Sequence, residues 1–253
     1  MLQKTALSIL QSGQNVFLTG SAGAGKTYVL NQYIQYLRSR RISVAITAST
    51  GIAATHIGGQ TIHSWSGMGI KEEITDRDID RINKKKPVRD RLKNTQVLII
   101  DEVSMLSQAN LHCVDQILRC FRNENLPFGG IQVIFSGDFF QLPPVSKDRL
   151  PSHQRFCFMS PVWGKLDLQV CYLTEQYRSG DDRLVNLLNE IRTGEVSDST
   201  QDMLYEKLES GVNDLAEGAI RLFTHNIDVE TENLQALEQI SSPVERFYAT
   251  TRG

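Results

Sequence analysis

Short apolar runs alternate along the chain with stretches whose apolar residues recur every three or four positions, a rhythm that predicts strands separated by helices. The strand candidates are Val16–Thr19, Val44–Thr47, Val97–Asp101, Gln132–Gly137 and Gln169–Leu173. Between them, Leu111, Val114, Leu118 and Phe121 share one helix face, and Leu184, Leu187, Leu188 and Ile191 repeat at i, i+3, i+4 and i+7; both read as core stripes. The alternation predicts an α/β fold with a largely parallel sheet. Two stretches break it. From Gly67 to Asn94 no strand pattern appears, and Arg81, Lys84, Lys85, Lys86, Arg89, Arg91 and Lys93 accumulate, which reads as a polar insertion on the sheet's rim. From Glu195 the pattern restarts with a helix near Thr200–Glu209, a strand at Ile220–Phe223, a helix at Val229–Gln239 and one more strand at Val244–Tyr248. That restart predicts the opening of a second unit.

Composition narrows the class. The chain has 253 residues, 40% hydrophobic and 22% charged, which describes a globular protein and excludes a disordered or collagen-like one. Its four cysteines, Cys113, Cys120, Cys157 and Cys171, form no C-x-x-C, and its five histidines no H-E-x-x-H. Metal-site spacing is therefore missing, and the thiols read as reduced core residues. A net charge of -2 rules out a uniformly basic nucleic-acid coat but is compatible with a local basic channel. No apolar run approaches the roughly 20 residues that span a bilayer, and Met1 to Leu10 lacks the basic start of a secretory signal. The expected location is the cytoplasm or nucleoid, or a nucleus or mitochondrion.

Gly20-Ser21-Ala22-Gly23-Ala24-Gly25-Lys26-Thr27 fits G-x-x-x-x-G-K-[ST] between a predicted strand and a predicted helix, the context that pattern requires. The glycines let the backbone curl so that several N–H groups face phosphates at a helix N-terminus. Lys26 reaches the β- and γ-phosphates, and Thr27 offers a hydroxyl to Mg²⁺. Val97–Asp101 followed by Glu102 is an apolar strand ending in two acids: Asp101 is placed to fix the Mg²⁺, and Glu102 to polarise an attacking water as general base. Together they predict a nucleoside triphosphatase that uses ATP and Mg²⁺.

Four further segments occur in order: Thr47-Ala48-Ser49-Thr50-Gly51-Ile52-Ala53-Ala54, Gly59-Gln60-Thr61-Ile62-His63-Ser64, Asp101-Glu102-Val103-Ser104-Met105, and Gly137-Asp138-Phe139-Phe140-Gln141-Leu142-Pro143-Pro144-Val145. Their sequence and order resemble the petite-integration-frequency (Pif) DNA helicases, RecD-like enzymes of superfamily one. The resemblance runs from about Gln3 to Gly194 and continues more weakly at Thr224-His225-Asn226. It implies a RecA-like ATPase domain over 1–65 and 90–192, a small wedge at 66–89, and part of a second RecA-like domain over 193–253. It implies a monomeric motor moving 5′ to 3′ on single-stranded DNA and acting on forked or structured DNA, of which this chain is a portion.

The resemblance also assigns residues. Gln141 becomes a γ-phosphate sensor, and Arg178, within Leu173-Thr174-Glu175-Gln176-Tyr177-Arg178, reaches toward the γ-phosphate; the alternative for Arg178 is an ion pair with Asp181 or Asp182. Ser179 stands where the family usually has glutamine. Gln3 resembles the glutamine that reads adenine. Thr50, Gly51, Thr61, His63 and Ser64, with Pro143, are candidate strand contacts, being small or hydroxylic groups in loops after strands that suit phosphate contacts without base reading. Trp65 either stacks on a base or anchors the insertion, and at least one of Phe139 and Phe140 belongs to the core. Two rival readings are a nucleotide-dependent DNA-binding scaffold without unwinding, and a clamp-loader or small-molecule-kinase type ATPase, which the DNA motifs disfavour.

Overall fold

The computed structural model describes residues 1–145, 151, 155–175, 182–209, 220–243 and 245–249. In chain order they form α1 (Gln3–Gln11), β1 (Val16–Gly20), α2 (Lys26–Ser39), β2 (Val44–Ala48), α3 (Gly51–His56), β3 (Gln60–Thr61), α4 (Ile62–Ser66), α5 (Asp76–Lys84), α6 (Lys86–Asn94), β4 (Val97–Asp101), α7 (Gln108–Phe121), β5 (Gln132–Ser136), β6 (Gln169–Leu173), α8 (Asp182–Thr193), α9 (Asp198–Glu209) and α10 (Asn226–Glu238). All five strand pairings are parallel, in the order β3-β2-β4-β5-β1-β6.

Every residue of β1 and β4 is buried, as strands covered on both faces require. One apolar cluster packs Leu98, Ile100, Val133 and Phe135 against Leu111, Val114 and Leu118 of α7. On the other face, Leu18, Ile99 and Ile134 meet Leu10 of α1 and Leu30 and Leu37 of α2. The sheet is therefore fixed from both sides, and the C-terminal ends of its strands are held rigidly, where ligands bind in open parallel sheets.

The chain divides into two compact units, Met1–Glu195 and Val196–Gly253. The stretch from Gly67 to Asn94 holds α5 and α6 and no strand, and Ile74, Ile82 and Leu92 enter the same cluster as α7. Trp65 is 2% exposed and lies in that cluster, which resolves its alternatives in favour of an anchor. Phe139 packs edge-on against Phe158 and Phe156, whereas Phe140 is exposed.

Four expectations need correction. Of the stripe on α8, Leu187 is buried, but Leu184, Leu188 and Ile191 are about half exposed, so it is not a core stripe. Ile220–Phe223 is not a strand: Ile220 and Leu222 are exposed, and no strand of their unit lies among the described residues to supply ladder partners. The same holds for 245–248 of the Val244–Tyr248 run; Val244 lies outside the described residues. Cys120 is exposed, unlike the buried Cys113, Cys157 and Cys171: it lies in the last turn of α7, past the buried stretch Leu111–Leu118.

Candidate nucleotide site

The loop from Gly20 to Thr27 joins β1 to α2. Gly20 ends β1 so close to β6 that a Cβ there would lie 2.7 Å from the Leu173 carbonyl oxygen. Gly25, the residue before α2, has φ +85°, a left-handed conformation that glycine adopts without strain. These two positions let the loop fold back on itself. Lys26 Nζ donates to the carbonyl oxygens of Gly20 and Ser21 at 2.8 and 3.1 Å, so the ammonium lies across the loop's mouth.

The order β4-β5-β1 brings three strand ends together. Asp101 closes β4, Glu102 follows it, and Asp138 lies two residues past β5. Burial lowers the Lys26 pKa, opposed by the nearby charges of Asp138, Glu102 and Asp101. Burial raises the Asp101 carboxyl, with the Ser136 hydroxyl, the Glu102 N–H and Lys26 working against the shift. Glu102 is raised by burial and by its neighbour Asp101. Three acids and one ammonium thus share a half-dry site, where electrostatic effects exceed those in water.

Glu102 has φ +51° and ψ +46°, an uncommon conformation for a residue with a side chain. Its carbonyl oxygen accepts from Ser49 Oγ at 2.6 Å and from the Met105 N–H at 3.3 Å. Beside it, Glu102, Met105, Gln141 and Pro143 line a cavity of about 460 Å³. A second cavity, about 440 Å³, is lined by Gln3, Leu7, Tyr28, Gln32 and Glu175, and Gln3 Nε2 donates to the Ala24 carbonyl at 3.3 Å. A larger groove of about 700 Å³ along α7, lined by His112, Asp115, Arg119 and Cys120, touches no phosphate-loop residue; volume alone does not mark the site.

Of the proposed strand contacts, Thr50, Gly51, Thr61, His63 and Ser64 gather at the ends of β2 and β3, whereas Pro143 lines the cavity beside Glu102. Thr50 and Thr61 each cap a helix, accepting from the Ala53 and Ser64 N–H groups at 3.3 and 3.2 Å. A hydroxyl that accepts a capping bond still keeps its proton to donate. Gly51 opens α3 with no atom within 4 Å of a hypothetical Cβ. His63 is half-buried, its pKa lowered by burial and held up by a hydrogen bond with Asn110. Ser64 Oγ donates to Gln60 Oε1 at 3.4 Å, and Arg91 donates to the Ser64 carbonyl at 2.5 Å, so part of the basic insertion braces this corner. Arg178, Ser179 and Asp181 lie outside the described residues.

Sequence reasoning did not single out Arg192. Its Nη2 pairs with Asp138 Oδ1 at 3.0 Å, its guanidinium carbon sits 4.4 Å from the centre of the Phe140 ring, and its side chain is 14% exposed. Arg192 follows the apolar stripe of α8 by one residue, a position that periodicity alone assigns to solvent. Ser49 was likewise read only as part of a motif.

A glycine-rich loop between a strand and a helix, with two acids at the end of a neighbouring strand of a parallel sheet, defines a RecA-like nucleoside triphosphatase domain. The model of the PIF1-like helicase family matches residues 3–202, and the chain belongs to that family. It is 48% identical to the ATP-dependent DNA helicase Pif1 of Psychrobacter sp. (strain PRwf-1), covering all of this chain and 39% of the relative. It is 37% identical to the ATP-dependent DNA helicase PIF1 of Homo sapiens, covering 98% of this chain and 38% of that protein. The chain thus spans about two-fifths of the length of these relatives. Among solved structures, the Pif1 helicase of Candida albicans superposes with a TM-score of 0.85 at 37% identity, over 94% of this chain and 54% of that one. A Bacteroides Pif1 helicase in complex with ADP-AlF3 and ssDNA gives 0.76 at 29% identity, over 95% and 57%.

Proposed function

We propose that this chain carries the ATP-hydrolysing motor domain of a DNA helicase that engages single-stranded and forked DNA. The observation that carries this reading is the convergence of Lys26 with Asp101, Glu102 and Asp138 at three adjacent strand ends, in front of a loop built to cradle phosphates. The N–H groups of the phosphate loop bind the phosphate oxygens, Lys26 neutralises the β- and γ-phosphates, and Gln3 with Tyr28 receives adenine in the cavity beside the loop. Thr27 and Asp101 would hold Mg²⁺. The fit is supported by the chemistry of the donor set, since a hydroxyl and a carboxylate are the hard oxygen ligands that Mg²⁺ takes. When bound, that ion spreads the negative charge of the phosphates. Glu102 takes a proton from the attacking water, and its raised pKa strengthens it as a base. Gln141, on the cavity that Glu102 also lines, senses the γ-phosphate, and Arg178 adds charge there in the transition state. Thr50, Gly51, Thr61, His63, Ser64 and Pro143 position the strand through its backbone. The ssDNA in the Bacteroides complex and the forked dsDNA of another Pif1 structure support these partners, and with them a place beside the chromosome.

The test compares Glu102→Gln with wild type in nucleotide binding and in single-turnover hydrolysis, with and without single-stranded DNA. Binding is expected to persist while hydrolysis falls by about 10²–10⁴. Equal hydrolysis by the two proteins would remove Glu102 from the role of base, and a wild type indifferent to DNA would remove the helicase reading.

A further inference from the structure

Ser49 stands between the two halves of the proposed machinery. Its N–H donates to the Asp101 carbonyl at 3.1 Å and its Oγ to the Glu102 carbonyl at 2.6 Å, so one residue grips both peptide units of the acidic turn. It does so as an extension of the sheet: Ala48 pairs with Asp101 in the β2–β4 register, and Ser49 adds the next rung. On its other side Ser49 is bonded to Thr50, whose hydroxyl and carbonyl hold the first turn of α3 through Ala53 and Ala54 at 3.3 and 3.0 Å.

The turn that it grips needs holding. Glu102 sits in the left-handed region, and such a conformation persists in a residue with a side chain only where the surroundings over-determine it. Two donors meet the Glu102 carbonyl, Ser49 Oγ and the Met105 N–H, and the former is the shorter. The Glu102 carbonyl carbon is bonded to the Cα that carries the side chain, so a displacement of that carbonyl that takes the Cα with it also displaces the carboxyl.

We propose that Ser49 is a positioning residue that couples DNA binding to hydrolysis: a strand phosphate drawn onto the Thr50–Gly51 backbone shifts Ser49, and the Ser49–Glu102 bond carries that shift to the general base. The coupling rests on the helicase reading above. It needs no domain movement, since both ends of the link lie in one sheet. Ser49 acts in this link through the Glu102 carbonyl and the Thr50 backbone, not through its own contact with nucleotide or DNA.

The experiment measures kcat for ATP with and without saturating single-stranded DNA, the DNA affinity and the Tm, for wild type, Ser49→Ala and Ser49→Thr. Ser49→Ala is expected to lower the ratio of stimulated to basal kcat by about three- to tenfold, the worth of one hydrogen bond in a rate. DNA affinity stays at the wild-type value, Tm falls by no more than the few degrees that one hydrogen bond is worth, and Ser49→Thr, which keeps the hydroxyl, restores the ratio. A wild-type ratio in Ser49→Ala overturns the proposal. So does a proportionate fall in both rates with a lowered Tm, which a merely structural hydrogen bond would give. Absence of DNA stimulation in the wild type would instead overturn the helicase reading, and the coupling with it.

Discussion

At the scale of single residues, the buried pair Asp138–Arg192 sets the position of the segment leading to Gln141. Asp138 is 2% exposed; its Oδ1 accepts from the Phe140 N–H at 3.2 Å as well as from Arg192, and its carbonyl accepts from the Gln141 N–H at 2.9 Å. Removing one member of a buried pair leaves the other charged and unpaired, which is costlier than removing both. Arg192→Met is therefore expected to destabilise Met1–Glu195 by about 3–5 kcal/mol. The double variant Arg192→Met with Asp138→Asn should recover much of that loss. Urea unfolding of the two single variants and the double variant checks this, and additive losses would show that the two side chains do not depend on each other. The pair was hidden from sequence reasoning because its partners lie on separate elements. Lys26, Asp101 and Glu102, by contrast, stand in contiguous motifs whose spacing already states their geometry.

At the scale of elements, the insertion is held by a carboxylate in its first turn. The Thr75 N–H and Oγ1 donate to Asp78 Oδ2 at 3.2 and 2.9 Å, while Lys71 Nζ reaches Oδ1 at 2.7 Å. The Lys71 and Thr75 hydrogen bonds pull the Asp78 pKa from 3.8 to about 2. A carboxyl with a depressed folded pKa contributes stability that is fully present above its unfolded pKa and is lost as pH falls toward the folded one. Acid titration of the unfolding free energy should thus show a decline between about pH 4 and pH 2 that Asp78→Asn flattens; an unchanged slope would mean that the carboxylate is no more favoured in the folded chain than in the unfolded one. This arrangement was partly legible, since Thr75 and Asp78 have the spacing of a reciprocal helix cap. Val97–Asp101 and Gln169–Leu173 are strands with the bounds their apolar runs predict. β3 escaped notice because its two residues carry no period, and it exists through pairing with Thr47 and Ala48 at the sheet's edge. Ile220–Phe223 has strand composition but no strand neighbour among the described residues, and composition alone makes no ladder.

At the scale of the whole molecule, the two units differ in what they bury. Every member of both apolar clusters lies between Met1 and Leu173, and so do Gln3, Lys26, Asp101, Glu102 and Gln141. In Val196–Gly253 the apolar side chains of α9 and α10 remain largely in water: Leu208 is 76% exposed, Ile227 72% and Leu237 62%. Helices of 12 and 13 residues are marginal in isolation and take most of their stability from packing. The chain cut after Glu195 is therefore expected to fold, to unfold with the main transition of the intact chain, and to bind Mg²⁺-nucleotide within about 0.5 kcal/mol of it, the tolerance for independent sites. The peptide 196–253 alone should give the far-ultraviolet circular dichroism of a coil. Calorimetry of nucleotide binding and thermal melts of both pieces check the division. Loss of nucleotide affinity or a lower Tm in 1–195 would mean that the cradle draws on the second unit; stable helicity in 196–253 would mean that its exposed helices need no partner surface.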